Sequence, residues 1–178
     1  MRPLLKSQWP KLRKCLLERN GLDCAGCGVT VPVSSKLHAH EEWKYLTDAQ
    51  HPTALLITVT LVCWHCHHVE HWGVTKSLVA QGQLTKMALD DTIAHFCRLN
   101  NATCDDFLLH EVEATKEWEQ LSKLDWQIDY GPFLGWVAAT FNRDPLNDRD
   151  WSEEIERRWG NQVPPTMEEL AQSLVPHR

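Results

Sequence analysis

Two Cys-x-x-Cys pairs constrain this chain more than any other feature. They are Cys24 with Cys27 and Cys63 with Cys66, and 35 residues lie between the pairs. This spacing lets one turn of backbone present two sulfur atoms to one ion, and four cysteines complete the tetrahedron of a structural Zn²⁺ site. The sequence therefore predicts a zinc ion that joins both pairs and holds the inserted segment. Such sites contribute about 10–16 kcal/mol in peptides, so removing the ion is expected to unfold this half.

The composition favours metal binding over disulfide bonds. The chain has 178 residues, an odd number of cysteines (seven) and a net charge of −6. Its first residues lack the apolar core of a signal peptide, and no apolar stretch is long enough to span a membrane. These observations predict a protein of a reducing, cytoplasmic setting in a bacterial or phage-infected cell, without a membrane partner.

The charge is unevenly distributed. Residues 1 to 75 carry a net charge of +2, and residues 76 to 178 carry −8. A helix is predicted over residues 9 to 19, where Arg13, Lys14 and Arg19 form part of a basic segment that could contact phosphates. A solvated helix face is the alternative interpretation of this segment.

The hydrophobic pattern predicts an α+β fold in two parts. The segments "VTVPV", "KLHAHEEWKY" and "LLITVTLV" are typical of extended structure, and a helix is expected after Cys66. We therefore predict a small zinc-stabilised domain at residues 1–75.

A mainly helical, acidic region is predicted at residues 76–178. The segments "KMALDDTIAHFCRLN" and "TCDDFLLHEVEATKEWEQLSKL" predict two helices, the second with Thr103 and Asp106 in capping-box positions. "LDWQIDY" predicts a short extended piece, and "WSEEIERRWGN" and "TMEELAQSL" predict two short helices.

Four histidines accompany the cysteine pairs. His38 and His40 share a face of the predicted strand, and His67 and His71 share a face of the predicted helix. Because one zinc ion would tie strand and helix together, the four rings are predicted to converge on a functional cluster. The other histidines are predicted either to shape the second knuckle or to have no special role; they are His51, His65, His68, His95, His110 and His177.

The order "WPKLRKCLLERNGLDCAGCG", "LHAHEEW" and "LVCWHCHHVEHWG" resembles the HNH endonuclease superfamily. The resemblance implies a ββα-metal core with a structural zinc and a second, catalytic ion, which would be Mg²⁺, Mn²⁺ or Ni²⁺. It implies hydrolysis of DNA phosphodiester bonds, with His40 as general base and with His67 and His71 as ligands of the catalytic ion.

The chain departs from the family pattern at two places. Ala39 stands where members usually have a metal-binding Asp or His, and alanine cannot be a ligand. A shifted register could make His40 the ligand with Glu41 as its neighbour, or His38 could reach in from two residues earlier, and the spacing predicts neither of these. The middle Asn of the family is also absent, and the nearest polar residues are Thr58 and Thr60.

The sequence thus supports two main hypotheses. The first is a metal-dependent DNA nuclease. The second is a catalytically degenerate HNH-like module, such as a phage- or defence-associated regulator, that binds a protein or nucleic acid through Trp43, Trp64 and Trp72. The acidic second part favours the latter, and packing between the two halves is the alternative role for the tryptophans. A plain zinc ribbon within a larger complex is a third reading.

Overall fold

The computed structural model describes residues 9–47 and 51–133, which form five α-helices and three β-strands. In chain order these are α1 (Trp9–Asn20), β1 (Leu37–Leu46), β2 (Thr53–Cys63), α2 (Trp64–Glu70), α3 (Trp72–Ala80), α4 (Lys86–Asn100), α5 (Cys104–Leu121) and β3 (Gln127–Asp129). The predicted α+β class is confirmed. Among the described residues no helix is both long and apolar enough to cross a membrane.

The three strands form one sheet in the order β1-β2-β3. β3 runs parallel to β2 and pairs Gln127 with Thr53 and Asp129 with Leu55. The β-branched residues of β2 give it an alternating burial pattern at first, but its last three residues are all buried. β2 therefore ends inside the protein, at the residue that begins the second cysteine pair.

The described residues belong to two compact units. The first contains residues 9–21, 41–47, 51–60 and 126–133, and the second contains residues 22–40 and 61–125. We call the second the cysteine unit because it holds all four paired cysteines. The predicted boundary at residue 75 stays a prediction, and the two helices predicted from "WSEEIERRWGN" and "TMEELAQSL" lie outside the described residues.

A glycine closes the first unit near its buried core. Gly131 has a φ of +52°, a left-handed conformation that favours glycine. A Cβ atom at this position would collide with the carbonyl oxygen of Leu56, whose side chain is fully buried. Gly131 also donates its N–H to Asp129 Oδ1 at 2.8 Å. The chain can therefore turn directly over β2 only because residue 131 has no side chain.

Helices α2, α3, α4 and α5 form the packed part of the cysteine unit. Phe107 of α5 is 4% exposed and contacts Trp72 and Phe96 edge-to-face, with ring centroids 5.0 and 5.1 Å away. The predicted capping box of α5 is present, with Thr103 and Asp106 bonded reciprocally. This packing places the buried face of α4 against α2, which carries one of the paired cysteines.

Candidate metal centres

The four paired cysteines converge in the cysteine unit. Their sulfur atoms all lie within 4.8 Å of one another, and Cys27 Sγ is 3.7 Å from Cys63 Sγ. Four sulfurs around Zn²⁺ at about 2.3 Å would be about 3.8 Å apart, whereas a disulfide needs about 2.0 Å. The four residues, which we call the cysteine cluster, can therefore bind a tetrahedral metal ion such as zinc.

The backbone of both pairs is folded around the Cys24 sulfur. Cys24 Sγ accepts hydrogen bonds from the backbone N–H of Cys27 at 3.5 Å and of Cys63 at 3.1 Å. Ala25 N–H donates to the carbonyl oxygen of Leu61 at 2.8 Å, which joins the first pair to the end of β2. Main-chain hydrogen bonds thus hold the two pairs together before any ion is considered.

The pKa values of three of the clustered thiols are shifted in different directions. A hydrogen bond from the Cys66 thiol, together with the two backbone donors, lowers the pKa of Cys24 to about 4. The same bond to Cys24, and then burial, raise the pKa of Cys66, while burial raises the pKa of Cys27 to about 11. The lowered pKa of Cys24 favours its thiolate, which is the form in which cysteine binds a metal ion.

Gly26 makes the close approach of the two pairs possible. A Cβ atom at this position would lie 3.0 Å from Cys66 Sγ and 3.8 Å from Cys24 Sγ. Any side chain there would push on a sulfur atom of the cluster. The glycine inside the first Cys-x-x-Cys is thus a packing requirement of the site.

Three histidines form a second convergent group in the same unit. His40, His67 and His71, which we call the histidine cluster, each offer a nitrogen within 4.8 Å of the others. His40 Nδ1 lies 3.3 Å from His71 Nε2, close to the separation of about 3.3–3.4 Å expected for two imidazoles on one tetrahedral zinc. His40 is 9% exposed, whereas the other two are half-buried. The cluster is therefore closed on the His40 side and reachable from the other.

His71 lies at a break between two helices. The prediction places it on the same helix as His67, but α2 ends at Glu70 and α3 begins at Trp72. His71 has φ −102° and ψ 42°, yet its N–H still donates to the His67 carbonyl at 3.1 Å. The four-residue spacing keeps the two rings adjacent, with centroids 4.6 Å apart, although the helix does not continue.

Thr75 supports this break from α3. Its fully buried hydroxyl lies 2.8 Å from the His68 carbonyl oxygen and 3.2 Å from that of His71. His68 Nδ1 is 2.8 Å from the same hydroxyl, and burial lowers the pKa of His68, which favours its neutral form. Because the hydroxyl proton is directed to a carbonyl, Nδ1–H of His68 donates to Thr75 Oγ1. The turn that carries His71 is thus fixed by one buried side chain.

The other β1 residues that the sequence analysis considers for the site lie on both faces of the strand. The His38 ring stacks on His67, with centroids 4.8 Å apart and an angle of 19°, but its nitrogens are not part of the convergent set. Because side chains alternate along a strand, Ala39 and Glu41 point away from the face that carries His38 and His40. Ala39 is 4% exposed. This geometry favours the register in which His40 is a ligand, and Glu41 does not join the group.

His95 lies against the cysteine cluster, although the sequence predicts no special role for it. His95 Nε2 is 3.3 Å from Cys66 Sγ, and an Arg98 nitrogen is 3.1 Å from His95 Nδ1. Burial is the main cause that lowers the pKa of His95. His95 and Thr92 are the two buried residues of α4, and a histidine on the buried face of a helix needs a polar partner. The position of His95 on the buried face of α4 could have indicated from the sequence that it has a polar partner. Only the fold identifies that partner as Cys66.

The predicted contact residues are spread over both units. Trp64 and Trp72 are half-buried in the cysteine unit, where the Trp64 ring lies 4.0 Å from that of His68. Trp43 is half-buried in the first unit. The basic residues lie on α1, also in the first unit; they are Arg13, Lys14 and Arg19. Their role in binding a partner stays a prediction.

An open cavity of about 500 Å³ adjoins the cysteine cluster. Cys27, Cys63 and Trp64 contribute to its wall, and its charged lining residues, Lys36 and Arg98, are both cationic. The cavity thus brings two basic side chains close to the sulfur atoms of the cysteine cluster.

Comparison with family models, curated proteins and solved structures found no match to this chain. The geometry of the two clusters is therefore the basis for assigning a function.

Proposed function

We propose that the chain is a metal-dependent, HNH-like endonuclease that hydrolyses phosphodiester bonds in DNA. Zinc in the cysteine cluster would be the structural ion, and the histidine cluster would hold the catalytic ion. The observation that carries the proposal is the convergence of three imidazoles from β1, α2 and the turn after α2, beside four convergent cysteines. Three protein ligands with an accessible remaining position are typical of catalytic metal sites, whereas four cysteines are typical of structural ones.

The donor set narrows the choice of catalytic ion. Three imidazole nitrogens without a carboxylate suit Zn²⁺, Ni²⁺ or Co²⁺, whereas Mg²⁺ prefers oxygen ligands. Of the three ions implied by the resemblance, Ni²⁺ therefore fits best, followed by Mn²⁺ and then Mg²⁺.

The histidine cluster and its neighbour His38 have different roles in this proposal. A divalent ion held by His40, His67 and His71 would stabilise charge that develops on a scissile phosphate. His38 is stacked on one ligand but is not in the ligand set, so its imidazole is suited to accept a proton from the attacking water. His40, the base implied by the resemblance, is better used as a ligand because of its short distance to His71.

Two basic side chains in the cavity beside the cysteine cluster support an anionic substrate. Lys36 and Arg98 line the cavity beside the cysteine cluster, and lysine and arginine contacts to phosphates supply most non-specific DNA affinity. Replacing Lys36 by Gln is expected to weaken DNA binding and to reduce the slope of log affinity against log salt by about 1.

A second candidate function is the catalytically degenerate module that binds a protein. It is favoured by four large apolar side chains of α5 that are more than half exposed: Leu108 at 54%, Leu109 at 66%, Val112 at 51% and Trp118 at 67%. Exposed apolar groups that cluster on one helix are typical of protein contact surfaces. In that case DNA cleavage would be absent although zinc is bound.

The test is plasmid nicking by the full-length protein after its zinc content has been measured. We expect nicking with added Ni²⁺ or Mn²⁺ to exceed that with Mg²⁺, and to be lost in His67→Ala and His40→Ala. His38→Ala should keep its metal affinity but lose about 10²–10⁴-fold in rate, as expected for a missing base.

His110→Ala is the matched control, because His110 is exposed on α5 and stacks on Phe96. A protein that carries one zinc per chain and nicks DNA with none of these ions would refute the nuclease proposal and favour the binding module.

A further inference from the structure

The cysteine cluster has a side-chain partner in addition to its backbone hydrogen-bond donors. Cys24 Sγ receives two backbone N–H groups, from Cys27 and Cys63. Cys66 Sγ is instead contacted by the imidazole of His95, at 3.3 Å from Nε2. Four thiolates around Zn²⁺ carry a net charge of −2, so donors to the sulfurs stabilise the loaded site.

The proton on His95 can be assigned from its other neighbour. Arginine has five N–H donors and no acceptor, so the Arg98 nitrogen 3.1 Å from His95 Nδ1 must donate to it. Nδ1 therefore carries the lone pair of a neutral ring, and the single ring proton is on Nε2. That proton points at Cys66 Sγ, and the direction of donation runs from Arg98 to His95 to Cys66.

The surroundings hold this arrangement in place. His95 is 6% exposed, and its ring stacks on His65 with centroids 5.1 Å apart. Arg98 is one helical turn further along α4, so the spacing of the helix itself brings the guanidinium over Nδ1. Only the outer member of the series, Arg98, is exposed to solvent.

We propose that His95, oriented by Arg98, is a positioning residue that donates Nε2–H to the Cys66 thiolate and slows the release of zinc from the cysteine cluster. The proposal rests on the structural zinc in the function proposed above and is independent of nuclease activity. Outer-shell partners of this kind change metal affinity about 10–100-fold when they are removed.

The test measures the rate at which Zn²⁺ moves from the full-length protein to an excess of a chromogenic chelator. His95→Phe keeps a ring against His65 but has no N–H, and zinc release should become about 10–100-fold faster. His95→Gln retains an N–H donor, so it should release zinc more slowly than His95→Phe but faster than wild type. Arg98→Met should release zinc faster than wild type but more slowly than His95→Phe. His110→Phe is the matched control and should equal wild type.

A spectroscopic measurement separates this role from simple packing. In Co²⁺-substituted protein, the thiolate-to-metal charge-transfer band should shift in His95→Phe and Arg98→Met but not in His110→Phe. Release within twofold of wild type and an unshifted band in His95→Phe would overturn the proposal. If that variant does not fold, the same result in the exposed Arg98→Met would overturn it. Wild-type protein without bound zinc would instead overturn the structural-zinc assignment, which distinguishes the two failures.

Discussion

Replacing Gly26 by Ala should weaken zinc binding by a predictable amount. The new Cβ would lie 3.0 Å from Cys66 Sγ and 3.4 Å from Cys66 Cβ. An ordinary contact between such atoms is about 3.5–4.0 Å, so the sulfur must move by a few tenths of an ångström. Metal sites tolerate about ±0.2 Å in ligand distance. The substitution therefore misplaces one of the four ligands rather than only crowding the loop.

The magnitude follows from the cost of overpacking. Adding one methyl group to a well-packed site costs about 1–3 kcal/mol. If the metal-bound form bears that cost, the zinc dissociation constant rises about 5- to 140-fold, since 1.4 kcal/mol is a factor of ten. The assay is competition against a chelator of known affinity, with the Co²⁺ spectrum as a second readout of the tetrahedral thiolate site.

Gly73→Ala is the matched control because it adds the same methyl group on α3, where the new Cβ meets nothing within 4 Å apart from its chain neighbours and the backbone of its own helix. It should leave zinc affinity unchanged. Equal zinc affinity in wild type, Gly26→Ala and Gly73→Ala would refute the reasoning, because zinc binding would then not depend on the close approach of residue 26 to the Cys66 sulfur.

Three other changes test the supports of the fold and of the histidine cluster. Gly131→Ala should lower the free energy of unfolding in urea by about 1–3 kcal/mol, because the methyl group meets the Leu56 carbonyl in a left-handed turn; an unchanged midpoint would contradict this. Thr75→Val should lower the free energy of unfolding by about 1–3 kcal/mol, because the buried hydrogen-bonding groups of His68 lose their partner. It should also weaken Ni²⁺ binding while zinc stays bound. Equal Ni²⁺ affinity in wild type and variant would exclude a role of Thr75 in positioning His71. Hydrogen bonds from Thr103 lower the pKa of Asp106. The carboxylate therefore contributes fully to the stability of the fold above the usual aspartate pKa, and this contribution is lost as the pH falls through the lowered pKa. Asp106→Asn should remove that part of the acid dependence of the melting temperature, and an identical pH profile would speak against the capping role.

Local signals in the sequence predicted the four converging cysteines and most of the helices and strands. The Cys-x-x-Cys spacing identified four residues that the structure brings together, because each pair needs only a local turn. The helix predicted over residues 9 to 19 corresponds to α1, Trp9–Asn20, and the capping box predicted the start of α5. These features depend on neighbours a few residues apart, which a single sequence contains.

Features that depend on distant contacts were not predictable in the same way. The parallel pairing of β3 with β2 joins Gln127 to Thr53, and no local pattern encodes that partner. The break at His71 depends on the buried Thr75 hydroxyl beneath it. His95 was assigned no role because its contact with Cys66 spans 29 residues and exists only when α4 packs on α2.

The two clusters share one turn of helix α2, because Cys66 and His67 are consecutive residues. This adjacency has a consequence for how the protein would respond to chelators. An ion in the accessible histidine cluster should leave first and return readily, whereas loss of zinc from the cysteine cluster, in which three of the four cysteines are buried, should be slow and would release the start of α2. For the proposed nuclease, chelation should therefore remove activity in two kinetic phases. Added Ni²⁺ should restore activity after the first phase, whereas recovery after the second should need zinc and refolding.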